Sequence, residues 1–530
     1  MKKILFLFPI LILFSSCGVF LQQAGVKNYA LKEKITPKSI NNYQYDFLYL
    51  TKLVEEGFPE IDSVFPKTSR ELRIKATVSK LAEAKENTDF VIQARKYLSN
   101  FHNQHTNISL NQTFKEVYPC VIYISSDKWY LLNLSKKYDS LYIGKQIVSF
   151  NGLPTSEVEK RLINFTFAEN KINQQQEIYN LQLYNKPKYL LEIGVIRDFT
   201  QKLRLKLADS TEISLAIVST KDKTPVFDIT FKENPLTKYQ AETYFYKVYP
   251  ENKMGYLQFN KCHDKIDIME GIGSYVKPWL QPLARAYVKN QFKKKKPSKQ
   301  IAQFYNPRYP VFKDFMWALM DSLNTNKVEN LIIDLRHNPG GNPTLGIQLL
   351  YFLTDKENLA NFREYAFTSE MYKAYFAKEY KALKKIYPKG VPSRELVLTN
   401  PNNNLFSDIT DPKSVYYIPQ NRPIYKGNIY VLANTNTGSA AAMLTTLLQD
   451  NEIGTVVGTS VGNNPIGATT YTPMVLPKTK AKISVASTYI VRPKAAKGKF
   501  QMPDIWVEYS INDLINGNDV YLDTVQKMIR

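Results

Sequence analysis

Four histidines, three cysteines and 21 glycines are few for a chain of 530 residues, and each scarcity removes a class of function. With so few histidines, and with neither a CxxC pair nor a spaced His/Cys ligand set, no metal site is expected. Glycine-rich phosphate loops are missing, as are HExxH and GxSxG, so no cofactor is implied. No fixed-period repeat stands out, which excludes solenoid and collagen-like architectures. Acidic residues are also short, 48 against 70 Lys and Arg, leaving a net charge of +22. Such a field draws polyanions. Its densest run, "FKKKKPSK" at 292–299, lacks interleaved aromatics, so it reads first as a solvated loop, then as a surface for lipid phosphates. No nucleic-acid partner is expected.

What is present is a chain long enough for two to four domains and rich in tyrosine, with 36 copies. It opens on "MKK", an apolar run "ILFLFPILILF" and "SSC", the charged, greasy and small-residue parts of a secretory leader. The run is too short to span a bilayer as a stable helix. Because it ends at Cys17, it resembles a bacterial lipoprotein signal, although Phe14 stands where leucine is usual. That resemblance implies a leader over 1–16, lipidation of Cys17, a tether over 17–36 and a membrane-anchored protein facing the periplasm. Cys120 and Cys262 then remain as one disulfide or as two buried thiols, and sequence leaves the choice open.

Residues 37–112 carry apolar positions every three or four residues, as in "SRELRIKATVSKLAEA", and read as a small helical region. From 113 to 225 the pattern turns to short Val-, Ile- and Tyr-rich strands. Within it "LYIGKQIVSFNGLPTSEVEKRL" sets a strand, an Asn-Gly turn, a proline and an amphipathic helix in an order similar to the peptide-groove segment of a PDZ domain. Residues 226–530 alternate strand and helix, the mark of an α/β domain. "NLIIDL" suits a strand buried on both faces, "NPGG" a tight turn and "TLGIQLLYFL" a helix, and "GNIYVLANTNTG" with "SAAAMLTTLLQD" repeats the unit. Insertions fall near 280–310 and 356–425. Within the second, "AFTSEMYKAYFAKEYKALKKIYPKG" suits either a helical lid or a surface layer.

Ser439 opens the second of these helices, where unpaired N–H groups and the helix dipole favour negative charge. Serine is also a routine helix cap, and "NPGG" can be only a turn. Should the two loops adjoin, as neighbouring strand-to-helix turns of one sheet would, Gly340 and Gly341 can offer bare N–H groups to an oxyanion beside a serine nucleophile.

"LIIDLRHNPGG", "GNIYVLANTNTGSAAAMLTTLLQDNEIGTVVG" and "MPDIWV", in this order, resemble the catalytic domain of the C-terminal processing and tricorn-like serine peptidases. The resemblance implies a crotonase/Clp-protease-like α/β fold preceded by a PDZ-like module. It implies Ser439 as nucleophile, Gly340 or Gly341 with the N–H of Ala440 as oxyanion hole, and Asp504 in a late "PD" motif. The lysine base of the processing branch has no match, since Asn463 and Asn464 occupy its place, and the usual glutamate three residues after the serine is Ala442. The tricorn-like branch uses a distant histidine, and His105 of "HNQHTN" resembles its "D-x-H-T" segment, with Asn103 where the acid would stand. Imidazole titrates near neutrality and suits a general base. His337 is the reserve base, and His263 reads as surface. Glu508 is a weak candidate for the orienting acid, because Gln501 precedes the "PD" motif. The reading is a serine endopeptidase acting on extended or unfolded polypeptide. The alternative, motivated by the missing lysine and acids, is an inactive peptide-binding or scaffold lipoprotein of the same fold.

Overall fold

In a computed structural model of the protein, the described residues are 29–32, 35, 39–110, 114–221, 226, 234, 236–294 and 298–529. The leader, Cys17 and most of the tether lie outside them, as do Lys295, Lys296 and Pro297 of the lysine-rich run. No helix among the described residues is long and apolar enough to cross a membrane.

The protein is α/β. Its central sheet has six strands in sequential order: β1 (Tyr244–Tyr249), β2 (Met254–Phe259), β3 (Asn330–Asp334), β4 (Asn428–Ala433), β5 (Thr455–Gly458) and β6 (Ile505–Trp506). β1 runs antiparallel to β2, and all later pairings are parallel. Every residue of β3 is buried, which explains the apolar run of Leu331, Ile332 and Ile333 at its centre. Leu331 and Ile333 face helices α1 (Phe312–Thr325), α2 (Pro343–Leu353) and α3 (Ser439–Asp450) in the largest core. On the opposite face Ile332, Leu432 and Val457 pack with Tyr521, Leu522 and Val525 of the C-terminal helix.

A five-stranded antiparallel sheet stands beside it, built on Lys482–Val491, which pairs with Asn107–Ser109, Arg363–Phe367 and Gly467–Val475. The N-terminal helices Asn42–Gly57, Lys67–Leu81 and Asn87–Leu98 close their core against this sheet, with Phe47, Leu50 and Tyr97 joining Met371, Ile483 and Val485. The segment 366–390 joins this packing through Met371 and Tyr375, and packs Leu383 in a small core with Ala366, Tyr372 and Val397. Its helices Glu370–Tyr375 and Ala377–Ile386 bury Met371 and Leu383, so it forms a packed layer. Strand Asn107–Ser109 fixes the chain just after His105: Asn107 pairs with Ser484, and Thr106 Oγ1 accepts the Ala486 N–H at 3.0 Å.

The β-rich segment has its own six-stranded sheet and its own core around Trp129, Phe150 and Leu205. Strand Gln146–Phe150 turns through Asn151 and Gly152, both at positive φ, into helix Thr155–Leu162. Cys120 lies in this core and Cys262 in that of the central sheet, so the two are separate buried thiols.

Candidate active site

Parallel pairing of β3 with β4 puts their C-terminal loops side by side, and those loops carry Gly340 and Ser439. A Cβ added at Gly340 would stand 2.7 Å from Ser439 Cβ and 2.9 Å from the nitrogen of Ala440. Only glycine permits so close an approach. The two loops are also stitched together: Gly438 N–H donates to the Asn338 carbonyl at 2.9 Å, and Thr437 Oγ1 to the Leu335 carbonyl at 2.9 Å. Ser439 does not cap α3, since Gly438 holds the cap position and no side-chain cap bond forms. Instead Ser439 sits at φ 47°, a left-handed conformation uncommon for a residue with a side chain. Such strain gathers at functional sites, and here it turns the chain sharply from strand into helix.

The two glycines differ in what their amides do. Gly340 N–H is already taken by Asn338 Oδ1 at 2.9 Å, in a loop that the buried Asn338 also ties to the Phe259 carbonyl at 2.9 Å. Among the described residues the N–H groups of Gly341 and Ala440 have no acceptor. Gly341 with Ala440 therefore makes the available donor pair, while Gly340 supplies the clearance. Ser439 N–H is held by Asn463 Oδ1 at 2.6 Å, and Asn463 Nδ2 donates to Gln104 Oε1 at 3.0 Å. Gln104 is the neighbour of His105. The asparagine at the lysine position thus bridges the serine loop to the histidine loop, over a sequence separation of 359 residues that no local pattern could reveal.

His105 is only partly exposed as a residue, but its Nδ1 is buried without a hydrogen-bond partner, and burial pushes its pKa down to about 4. Its ring lies 6.3 Å from that of Tyr471. No hydrogen bond joins it to Ser439 Oγ among the described residues. The His337 ring lies tilted against that of Tyr239, 4.6 Å between centres, and meets the charges of Asp334, Arg336 and Asp519. The surface expectation for His263 needs correction. Its Nδ1 lies 2.5 Å from Asp267 Oδ2, and its ring would be 2.8 Å from a Cβ at Gly341. It backs the glycine turn.

Residues 300–506 match the sequence model of peptidase family S41. This region is an S41 peptidase domain. The family is one of serine peptidases, which places the chain among hydrolases. Fifty-two chains of solved structures are similar. Mature CPAF complexed with lactacystin is 16% identical, with a TM-score of 0.55 over 92% of this chain and 98% of that one. Mature CPAF alone gives 16% and 0.55, over 92% and 97%. A photosystem II D1 C-terminal processing protease is 11% identical with a TM-score of 0.35, over 91% and 99%. At these identities the likeness to CPAF is one of fold. No curated protein sequence matches.

Within the S41 domain the structure gives mechanical roles to the other motif residues. Asp504 accepts Val456 N–H at 2.8 Å and Gln449 Nε2 at 2.9 Å, fastening β5 to the far end of α3. Gln501 also bonds Gln449, ten residues along α3 from Ser439 and so roughly 15 Å from it. Glu508 accepts the N–H and Oγ of Ser126, at 3.2 and 3.1 Å, in a turn of the β-rich segment. It is thus engaged by the β-rich segment. Arg336 of the "DLR" stretch is buried, bonding Asp334 at 2.7 Å and Asp519 at 2.8 Å, and so anchors the glycine turn from below. Burial raises Asp519, but the Arg336 charge and hydrogen bonds outweigh this and hold it near 2.

Proposed function

We propose that the protein is a serine endopeptidase that cleaves extended or unfolded polypeptide through an acyl-enzyme on Ser439, with His105 as base. The observation that carries this reading is the approach of Gly340 to Ser439 at the head of α3. It sets a candidate nucleophile beside two unused N–H donors. Ser439 Oγ adds to the scissile carbonyl while its proton passes to the His105 imidazole. The negative oxygen is received by Gly341 N–H and Ala440 N–H, with the positive end of α3 behind them. The imidazolium then protonates the departing amine, and water repeats the sequence on the acyl-enzyme to release acid and restore the serine.

The histidine is within two hydrogen bonds and one peptide link of the serine loop, through Asn463 and Gln104. Substrate seating must complete its contact with Ser439 Oγ, as catalytic hydrogen bonds often tighten only in the complex. A serine-reactive phosphonate probe tests the reading. Labelling of the wild type and its loss in both Ser439→Ala and His105→Ala are expected, and equal labelling of Ser439→Ala refutes it. The rival reading, a peptide-binding member without cleavage, is favoured by the unpartnered His105 Nδ1. It predicts tight peptide binding, no labelling and no product after long incubation.

We also propose that Cys17 is lipidated and that the protein faces the periplasm, on the support of the leader-like residues 1–16. Cys17→Ser should move the protein from the detergent-rich to the aqueous phase in cloud-point partitioning.

A further inference from the structure

The chain lacks an acid beside His105 in sequence, yet a half-buried carboxyl reaches the same loop from the β-rich segment. Glu169 Oε1 accepts Asn103 Nδ2 at 3.4 Å, and Glu169 Oε2 accepts the backbone N–H of Asn464. Asn103 lies two residues before His105, and Asn464 follows the residue that holds Ser439 N–H. The contacts close a ring: Ser439 to Asn463, Asn463 to Gln104, Gln104 along the chain to Asn103, Asn103 to Glu169, Glu169 to Asn464 and back to Asn463. Four residues on, Asn173 Nδ2 donates to the carbonyls of Val461 and Gly462 at 2.8 and 2.9 Å, so the same stretch grips the loop twice.

We infer that Glu169 is a positioning residue for the proposed Ser439–His105 pair, supplying from the β-rich segment the carboxyl that the histidine loop lacks at Asn103. The inference rests on the peptidase reading above. Both observed donors to Glu169 are N–H groups, so the ring persists when the carboxyl ionises, and a negative charge then favours the imidazolium formed as Ser439 loses its proton. Burial raises this carboxyl to about 8 against the pull of Lys499. Lys499, which also bears on His102, is the cation it meets, and His102 and His105 stand on either side of Asn103 along the chain. Asn103 Oδ1 and Asn464 Oδ1 are buried acceptors without partners, which the neutral carboxyl can serve as donor.

The experiment is the phosphonate labelling rate of the full-length protein from pH 6 to 9.5. The wild-type rate should rise through about pH 8. Glu169→Gln, checked for folding by circular dichroism, should label on the order of tenfold more slowly and lose that limb, a loss of ~1.4 kcal/mol. Asn173→Ala loosens the same loop without a charge and should slow labelling while keeping the limb. A wild-type profile flat through pH 8, or a folded Glu169→Gln with the wild-type rate and profile, overturns the inference while loss of labelling in Ser439→Ala leaves the peptidase reading standing. Labelling that survives in Ser439→Ala removes the reading itself.

Discussion

Gly340→Ala isolates the close approach on which the candidate site depends. The added methyl would lie 2.7 Å from Ser439 Cβ, 2.8 Å from the Gly438 carbonyl and 2.9 Å from Ala440 N. Two carbons rest at roughly 3.5–4.0 Å, so the serine must retreat by about 1 Å. A displacement of that size costs on the order of 10²-fold in rate, or ~2.7 kcal/mol of barrier. The backbone contributes separately, because Gly340 sits at φ 103°, a conformation that costs an alanine about 1–2 kcal/mol. Gly390→Ala is the control: its φ is 119°, but nothing lies within 4 Å of the added methyl. Gly390→Ala should therefore lose only the backbone cost in urea titrations and Gly340→Ala that cost plus its overlap, while only Gly340→Ala loses phosphonate labelling. A folded Gly340→Ala that labels at the wild-type rate would show that this approach has no bearing on the chemistry.

Arg336→Met leaves Asp334 and Asp519 buried without their cation, and breaking such a network should cost about 3–5 kcal/mol in a denaturant titration, far more than a surface arginine. Asp519 is held near 2 in the fold against about 3.9 in the unfolded chain. Its contribution is present above pH 4 and vanishes as pH falls through about 2, so Asp519→Asn should flatten the acid side of the stability curve. His105 acts in the opposite sense to a histidine that gains a partner. With a folded value of about 4 against about 6.5 unfolded, it resists protonation, and stability should fall as pH drops from 6.5 to 4. His105→Gln should remove that slope, and an unchanged slope would contradict the burial of Nδ1. Asn463→Ala releases Ser439 N–H and cuts the link to Gln104, so labelling should slow by up to about tenfold, the worth of one net hydrogen bond.

The legible part of this protein is the part whose physics is local. β3 reads as a doubly buried strand because Leu331, Ile332 and Ile333 are apolar without alternation, and the glycines of "NPGG" mark a turn because a side chain there has nowhere to go. Adjacent parallel strands then bring successive strand-to-helix loops together, so the meeting of Gly340 with Ser439 follows from the repeated unit itself. Which glycine keeps a free amide was not legible, since it depends on how the buried Asn338 turns its side chain. Nor was the pairing of His263 with Asp267 against Gly341, since His263 precedes the cap Asp264 of the helix that carries Asp267.

Glu169 is the harder case. It lies 66 residues from Asn103 and 295 from Asn464, in a segment whose pattern speaks only of strands and a helix start. Charge patterning assigns a lone glutamate to solvent, and only the closed ring of contacts puts it inside. At the places along the chain where such peptidase patterns carry ions stand Asn103, Asn463, Ala442 and Gln501, four uncharged residues. A half-buried carboxyl with two N–H donors can occupy the same region of space from a different segment, because a charge acts through distance and dielectric, whatever its position in the chain. Whether Glu169 serves His105 in this way is what a pH profile measures directly.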